Sequence, residues 1–167
     1  RSIAKRRYFY HRAVRFSLAA EMMPFQGLFQ RHTDVQAMYK ESTRSIEISV
    51  ETFFLPEQSD PARSRYFWAY RIAIENQGEE TVQLLNRYWR IIDGAGHTEE
   101  VRGPGVVGEQ PVLKPGQRFE YTSGAPLAVP GGVMSGHYEM VTDNGDAFDA
   151  KVPMFSLDLP NQQVRLN

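Results

Sequence analysis

A chain of 167 residues, 41% of them hydrophobic and 23% charged, can hold one domain with a proper core but not two ordinary ones. It has no cysteine, which excludes disulfides, thiolate metal ligands, redox switches and a cysteine nucleophile together. No apolar run approaches the length of a membrane span, and a net of −6 over residues 38–167 argues against that part being a general nucleic-acid binder.

The charge is unevenly placed. Residues 1–37 carry seven Lys/Arg against Glu21 and Asp34, a net of +5, whereas the remaining residues carry twelve against eighteen, a net of −6. This marks a compositional boundary near Ala37, with a body over 38–160 and a tail over 161–167. Within the first segment Val14, Leu18 and Met22 recur every four residues, with Arg7, His11 and Arg15 on another face. The spacing predicts a helix over Lys5–Met23, stopped by Pro24. Three readings of residues 1–37 fit this pattern: an extension from an earlier start or from expression, an Arg-rich presequence, or a basic arm that docks on an acidic body.

From Arg44 the pattern alternates. Ile46, Ile48, Val50 and Phe54 face one way and Glu47, Ser49 and Glu51 the other, a half-buried strand ended by Pro56. Glu57–Arg65 is a polar loop with a second proline, Pro61. Tyr66–Asn76 alternates again, with Trp68, Tyr70, Ile72 and Ile74 on one side, and turns at Asn76–Glu79. Thr81–Asp93 is a long apolar strand closed by Asp93-Gly94-Ala95-Gly96, and a short one follows over Thr98–Arg102. After a Gly/Pro-rich stretch, strands are expected over Arg118–Gly124, Gly136–Thr142 and Ala147–Leu157. Turns at Lys114–Gly116, Pro130–Gly132 and Asp143–Asp146 separate them. Asn144-Gly145 between two strand patterns predicts a type I′ hairpin, and Pro153 places the last strand at an edge or a bulge.

About seven strands with a turn every ten to fifteen residues, and no helical period after Met38, predict an all-β fold. Its form is an antiparallel two-sheet sandwich of immunoglobulin or fibronectin type III character. Trp68, Trp89, Phe54, Tyr88, Phe119, Tyr138 and Phe148 are the expected core fillers.

Several strings resemble ApaG proteins: Thr43–Val50 (TRSIEISV), Pro56–Pro61 (PEQSDP), Thr81–Ile91 (TVQLLNRYWRI), Glu100–Pro111 (EVRGPGVVGEQP), Tyr121–Gly124 and Phe155–Leu157. The resemblance spans almost all of Met38–Pro160 and none of residues 1–37. It implies a bacterial protein with a fibronectin-III-like sandwich and no established enzyme activity. The same domain type occurs fused to an F-box and in a protein associated with DNA polymerase, which implies protein–protein recognition. The family name is also linked to cobalt and magnesium tolerance and to a diadenosine-tetraphosphatase operon.

Four groups of residues invite a chemical reading. Gly103-Pro104-Gly105-Val106-Val107-Gly108 fits G-x-G-x-x-G, but Pro111 and Pro115 leave no room for the helix that a dinucleotide-binding loop opens. What the pattern still allows is an anion nest of backbone N–H groups, assisted by Arg102 and Arg87; the alternative is a strand connection that needs glycine for its backbone angles. Arg87-Tyr88-Trp89-Arg90 alternates arginine with aromatics. Arg87 and Trp89 should face one way and Tyr88 and Arg90 the other, so an exposed part of Arg87, Trp89 and Arg90 is the candidate partner-binding patch.

His97, Glu99 and Glu100 follow a turn, and Asp143, Asp146 and Asp149 surround the last hairpin without calcium-loop spacing. His137 stands alone in its strand, and no metal site is assigned. No nucleophile motif appears, and no catalytic residue or cofactor is expected.

The expected function is therefore a non-enzymatic, cytoplasmic binding module for an unidentified protein, through a free strand edge or the arginine–aromatic face. The alternative is a small-anion, pyrophosphate or nucleotide sensor at the glycine loop. A weaker option is an accessory factor in cobalt/magnesium homeostasis. A homodimer is the expected assembly.

Overall fold

The computed structural model describes residues 37–160. The helix expected over Lys5–Met23 and the tail lie outside them. Nine antiparallel strands form two sheets: β1 (Ala37–Thr43), β2 (Ile46–Phe54), β3 (Tyr66–Asn76), β4 (Val82–Asp93), β5 (Thr98–Pro104), β6 (Val112–Leu113), β7 (Arg118–Leu127), β8 (Gly131–Thr142) and β9 (Ala147–Asp158). One sheet runs β1-β2-β3-β7. The other runs β5-β4-β8-β9, with β6 also paired to β4. This is the expected two-sheet sandwich. Among the described residues no helix is long and apolar enough to cross a membrane.

The inward positions of both sheets interdigitate. Ile46, Ile48 and Val50 of β2 meet Ile72 and Ile74 of β3 and the inner residues of β4, β8 and β9, all nearly free of solvent. Four aromatics knit the two layers. Tyr70 of β3 lies 5.8 Å from Trp89 and 5.6 Å from Phe155, and Trp89 stands edge-on to both Phe155 and Tyr138. Trp68 is fully buried and spends its indole N–H on the Asp158 carbonyl (2.9 Å), joining β3 to the end of β9. Burial of each large side chain contributes about 1.5–3 kcal/mol. Trp68, Trp89 and Tyr138 are core residues as expected, and Phe54, Phe119 and Phe148 pack half-buried against them. Tyr88 departs from expectation: the alternation that buries Trp89 turns Tyr88 outward.

The strand pattern begins earlier than the sequence suggested. β1 pairs with β2 from Ala37↔Thr52 to Thr43↔Ile46, closed by Arg44 and Ser45 alone. Both have positive φ (46° and 62°), the sign pattern of a type I′ turn, built without glycine or asparagine. Such a conformation costs a non-glycine residue about 1–2 kcal/mol. Here it is held from outside: the Arg44 guanidinium lies 4.6 Å from the Phe148 ring centroid, and the Ser45 carbonyl accepts the Gln77 N–H. The Asp143–Asp146 hairpin forms, but not as type I′. Only Gly145 there has positive φ, Gly145 N–H donates to Thr142 O, and Thr142 N–H donates to Asp146 O. That is a three-residue loop whose last residue is the left-handed glycine.

Pro153 sits where expected. β9 is an edge strand, and its register against β8 shifts between Met134 and Gly136. The edge is also covered in part. Lys151 N–H donates to Thr43 Oγ1 (3.1 Å), Ser156 N–H donates to the Tyr39 hydroxyl (3.3 Å), and Pro153 has no N–H to offer. A strand with part of its outward edge engaged in this way is a poorer template for strand addition over 151–156.

Candidate functional site

The glycine loop and the arginine–aromatic string meet at β4 and β5, where pairing sets Arg87 opposite Gly103 and Tyr88 opposite Arg102. Successive residues of a strand face opposite sides, so Arg87 and Arg102 lie on different faces of the sheet. They are not brought together.

Arg87 lies on the core side. Its Nη1 donates to Pro104 O (2.9 Å) and Gly105 O (2.8 Å), so its charge braces the loop from within. Gly103 provides the room: a Cβ there would stand 3.3 Å from the guanidinium. Beyond it the loop folds into a miniature hairpin. Val106 and Glu109 exchange both backbone hydrogen bonds (2.8 and 2.9 Å) around Val107 and Gly108, which have φ of 45° and 78°. Gly105 N–H donates to Leu85 O, and a Cβ on Gly105 would fall 2.2 Å from Glu109 O. Gly105 and Gly108 thus answer backbone demands, and the amides of Gly105, Val106 and Glu109 bind carbonyls. Val106 is buried in the core.

Beneath this loop lies a cluster of phenols. The Tyr121 and Tyr138 hydroxyls hydrogen-bond each other, and Tyr70 adjoins them. Burial raises the pKa of all three, and the positive charge of Arg87 opposes that rise in each.

The patch of Arg87, Trp89 and Arg90 is divided by the same alternation. Trp89 is 4% exposed, in the core, and Arg87 shares its side of the sheet. Only Arg90 reaches the outer face. There it joins residues that the sequence did not group, arranged in rows by the register of β5, β4, β8 and β9. One row is Arg102, Tyr88, His137 and Lys151; the next is Asn86, Glu139 and Asp149; on the other side lie Glu100, Arg90 and Ser135.

The central row is organised around Tyr88. The Arg102 guanidinium sits 4.2 Å from its ring centroid, the His137 ring packs at 5.0 Å, and its hydroxyl donates to Glu100 Oε1 (2.7 Å). That donated bond raises the phenol's pKa. In the adjoining row Asn86 Nδ2 donates to Glu139 Oε2 (2.7 Å), and His137 Nε2 stands 3.8 Å from Asp149 Oδ2. His137, expected to be alone, therefore has two carboxylates beside it, because cross-strand register brings Asp149 to Glu139. Met154, 65% exposed, follows on β9 past Pro153.

The other acidic groups separate. His97 Nδ1 pairs with Asp93 Oδ2 (3.2 Å) at its turn, while Glu100 belongs to the Tyr88 face. Loss of water around Asp93 opposes its ionisation, yet the donors of His97 and Ala95 lower its pKa. Asp143 and Asp146 stay in the hairpin and Asp149 lies on β9. The cleft between Arg44, Gln77, Glu80 and Phe148 holds the buried Asn76, whose amide is fully used by Glu80 O, Leu113 O and Gly78 N–H. Among the described residues no buried side-chain polar atom lacks a partner.

Residues 56–142 match the model of the ApaG domain. The chain is 57% identical over 130 residues to Protein ApaG of Bradyrhizobium diazoefficiens and 55% identical to that of Mesorhizobium japonicum, covering 78% of this chain and all of each relative. A Bordetella pertussis protein whose crystal structure carries the name ApaA superposes with a TM-score of 0.68 at 44% identity, over 73% of this chain and 96% of that one.

Proposed function

The chain belongs to the ApaG domain family, and on that premise we propose that it is a non-enzymatic module that recognises another protein through the outer face of β4, β5, β8 and β9. The observation that carries this reading is the Tyr88 row. An aromatic ring capped by Arg102 and packed against His137, with Arg90 on the same face and Lys151 beyond His137, offers planar, cationic and apolar contact on a rigid sheet. Tyr and Arg are, with Trp, the side chains most enriched among the residues that dominate protein interfaces. The engaged stretch of β9 over 151–156 favours the face over strand addition there. A partner segment with carboxylates to meet Arg90 and Arg102 fits the chemistry of the rows.

The test is retention of a cellular partner on immobilised protein, read by quantitative mass spectrometry. Tyr88→Ala and Arg102→Ala should each cut retention at least tenfold, while Arg118→Ala, on the other sheet, should not. Equal retention by all four proteins would end the proposal. A small-anion site at Gly103–Gly108 has less support, since Arg87 and several loop amides are spent on carbonyls. Pyrophosphate that shifts the Gly103–Gly108 amide resonances saturably would restore it.

A further inference from the structure

A binding surface made of cross-strand rows can hold more than a protein partner. His137 and Glu139 are two residues apart on β8 and so share the outer face, and Asp149 of β9 lies opposite Glu139. One ligand atom from each of the three lies within 4.8 Å of the others. Tetrahedral bonds of about 2.1 Å would place donors about 3.4 Å apart, so an ion would draw them in by roughly an ångström. Asp149, with 61% of its side chain exposed, is free to make that movement. The other two are already oriented. Asn86 Nδ2 donates to Glu139 Oε2, and the Tyr88 ring packs against the imidazole with centroids 5.0 Å apart.

We propose that His137, Glu139 and Asp149 bind a borderline divalent cation of the Zn²⁺ class at the sheet face. One imidazole and two carboxylates suit Zn²⁺, Co²⁺ or Ni²⁺ far better than Mg²⁺, which prefers an all-oxygen octahedron and gives up its water reluctantly. Three protein donors leave at least one position for water or a further ligand. Lys151, paired across from His137, and Arg102, above Tyr88, put positive charge beside the site and make it weak rather than structural. The inference goes beyond the protein-binding reading and does not depend on it, because its readout is the metal alone.

The experiment is a titration of the full chain with zinc chloride, followed through the imidazole nitrogen resonances. His137 should shift saturably, magnesium chloride at tenfold higher concentration should leave it unmoved, and Glu139→Gln and Asp149→Asn should each weaken the zinc effect at least tenfold. Both substitutions are on the outer face, so circular dichroism should show the fold retained. A His137 ring that stays still at millimolar zinc, or a shift that survives Asp149→Asn, would overturn the proposal.

Discussion

Residues 103–108 carry the most motif-like string of the chain, and the outer face of β4, β5, β8 and β9 carries no motif at all. Yet the loop turns its groups inward and the face turns them to solvent. In the loop, Arg87 and the amides of Gly105, Val106 and Glu109 are occupied by backbone carbonyls. On the face, Tyr88, Arg90, Arg102 and His137 stand in register with their polar ends outward or paired at the surface. A sequence motif marks where the backbone is constrained. A row across strands marks where side chains are presented, and it is invisible until register is known.

The sharpest way to test this contrast is alkali, which should act on the phenols of the two regions in different ways. Tyr70, Tyr121 and Tyr138, under the loop, have pKa values raised by burial above the ordinary 10.0. Their contribution to stability is complete below pH 10 and is lost as pH rises beyond it, because the unfolded chain ionises first. Cooperative unfolding is expected there, with a jump in tyrosinate absorbance. Tyr88 on the face, raised by its bond to Glu100, is open to solvent and should instead ionise without an unfolding step of its own. A smooth titration of every tyrosine without loss of fold would contradict this.

Next in size is Gly105→Ala. The added Cβ meets Glu109 O at 2.2 Å and the position has φ of 59°, so a loss of about 3 kcal/mol or more is expected in urea unfolding. Arg87→Ala removes two charge-assisted bonds to Pro104 O and Gly105 O and should cost about 2 kcal/mol. Arg102→Ala removes only an exposed cation–π contact and should cost under about 1 kcal/mol. If Arg102→Ala proved as costly as Arg87→Ala, the face would be part of the scaffold rather than a surface for display.

Much of the fold was legible because alternation is a local signal. The stretches Ile46–Phe54 and Tyr66–Asn76 showed their inner and outer residues directly, and Pro153 pointed to an edge or a bulge, both of which β9 has. β1 was hidden because its turn is Arg44-Ser45, held left-handed by Phe148 and by the Gln77 amide, neither of them close in sequence. The separation of Arg87 and Trp89 from Tyr88 and Arg90 was legible, as was a core Trp89; that Tyr88 took the outer side was not. Nor was the meeting of His137 and Asp149, which depends on how β8 pairs with β9. The only sequence clue was His137 and Glu139 at a spacing of two, which is common on any solvated strand.

The central claim is that the face of β4, β5, β8 and β9 presents the binding side chains and the glycine loop does not. Charge reversal tests it most directly: Arg90→Glu and Arg102→Glu on the face, against Arg118→Glu on β7, with retention of a cellular partner compared at two salt concentrations. The account predicts that both face variants lose the partner, that Arg118→Glu keeps it, and that salt weakens wild-type binding. Undiminished binding by Arg102→Glu together with Arg90→Glu would contradict it.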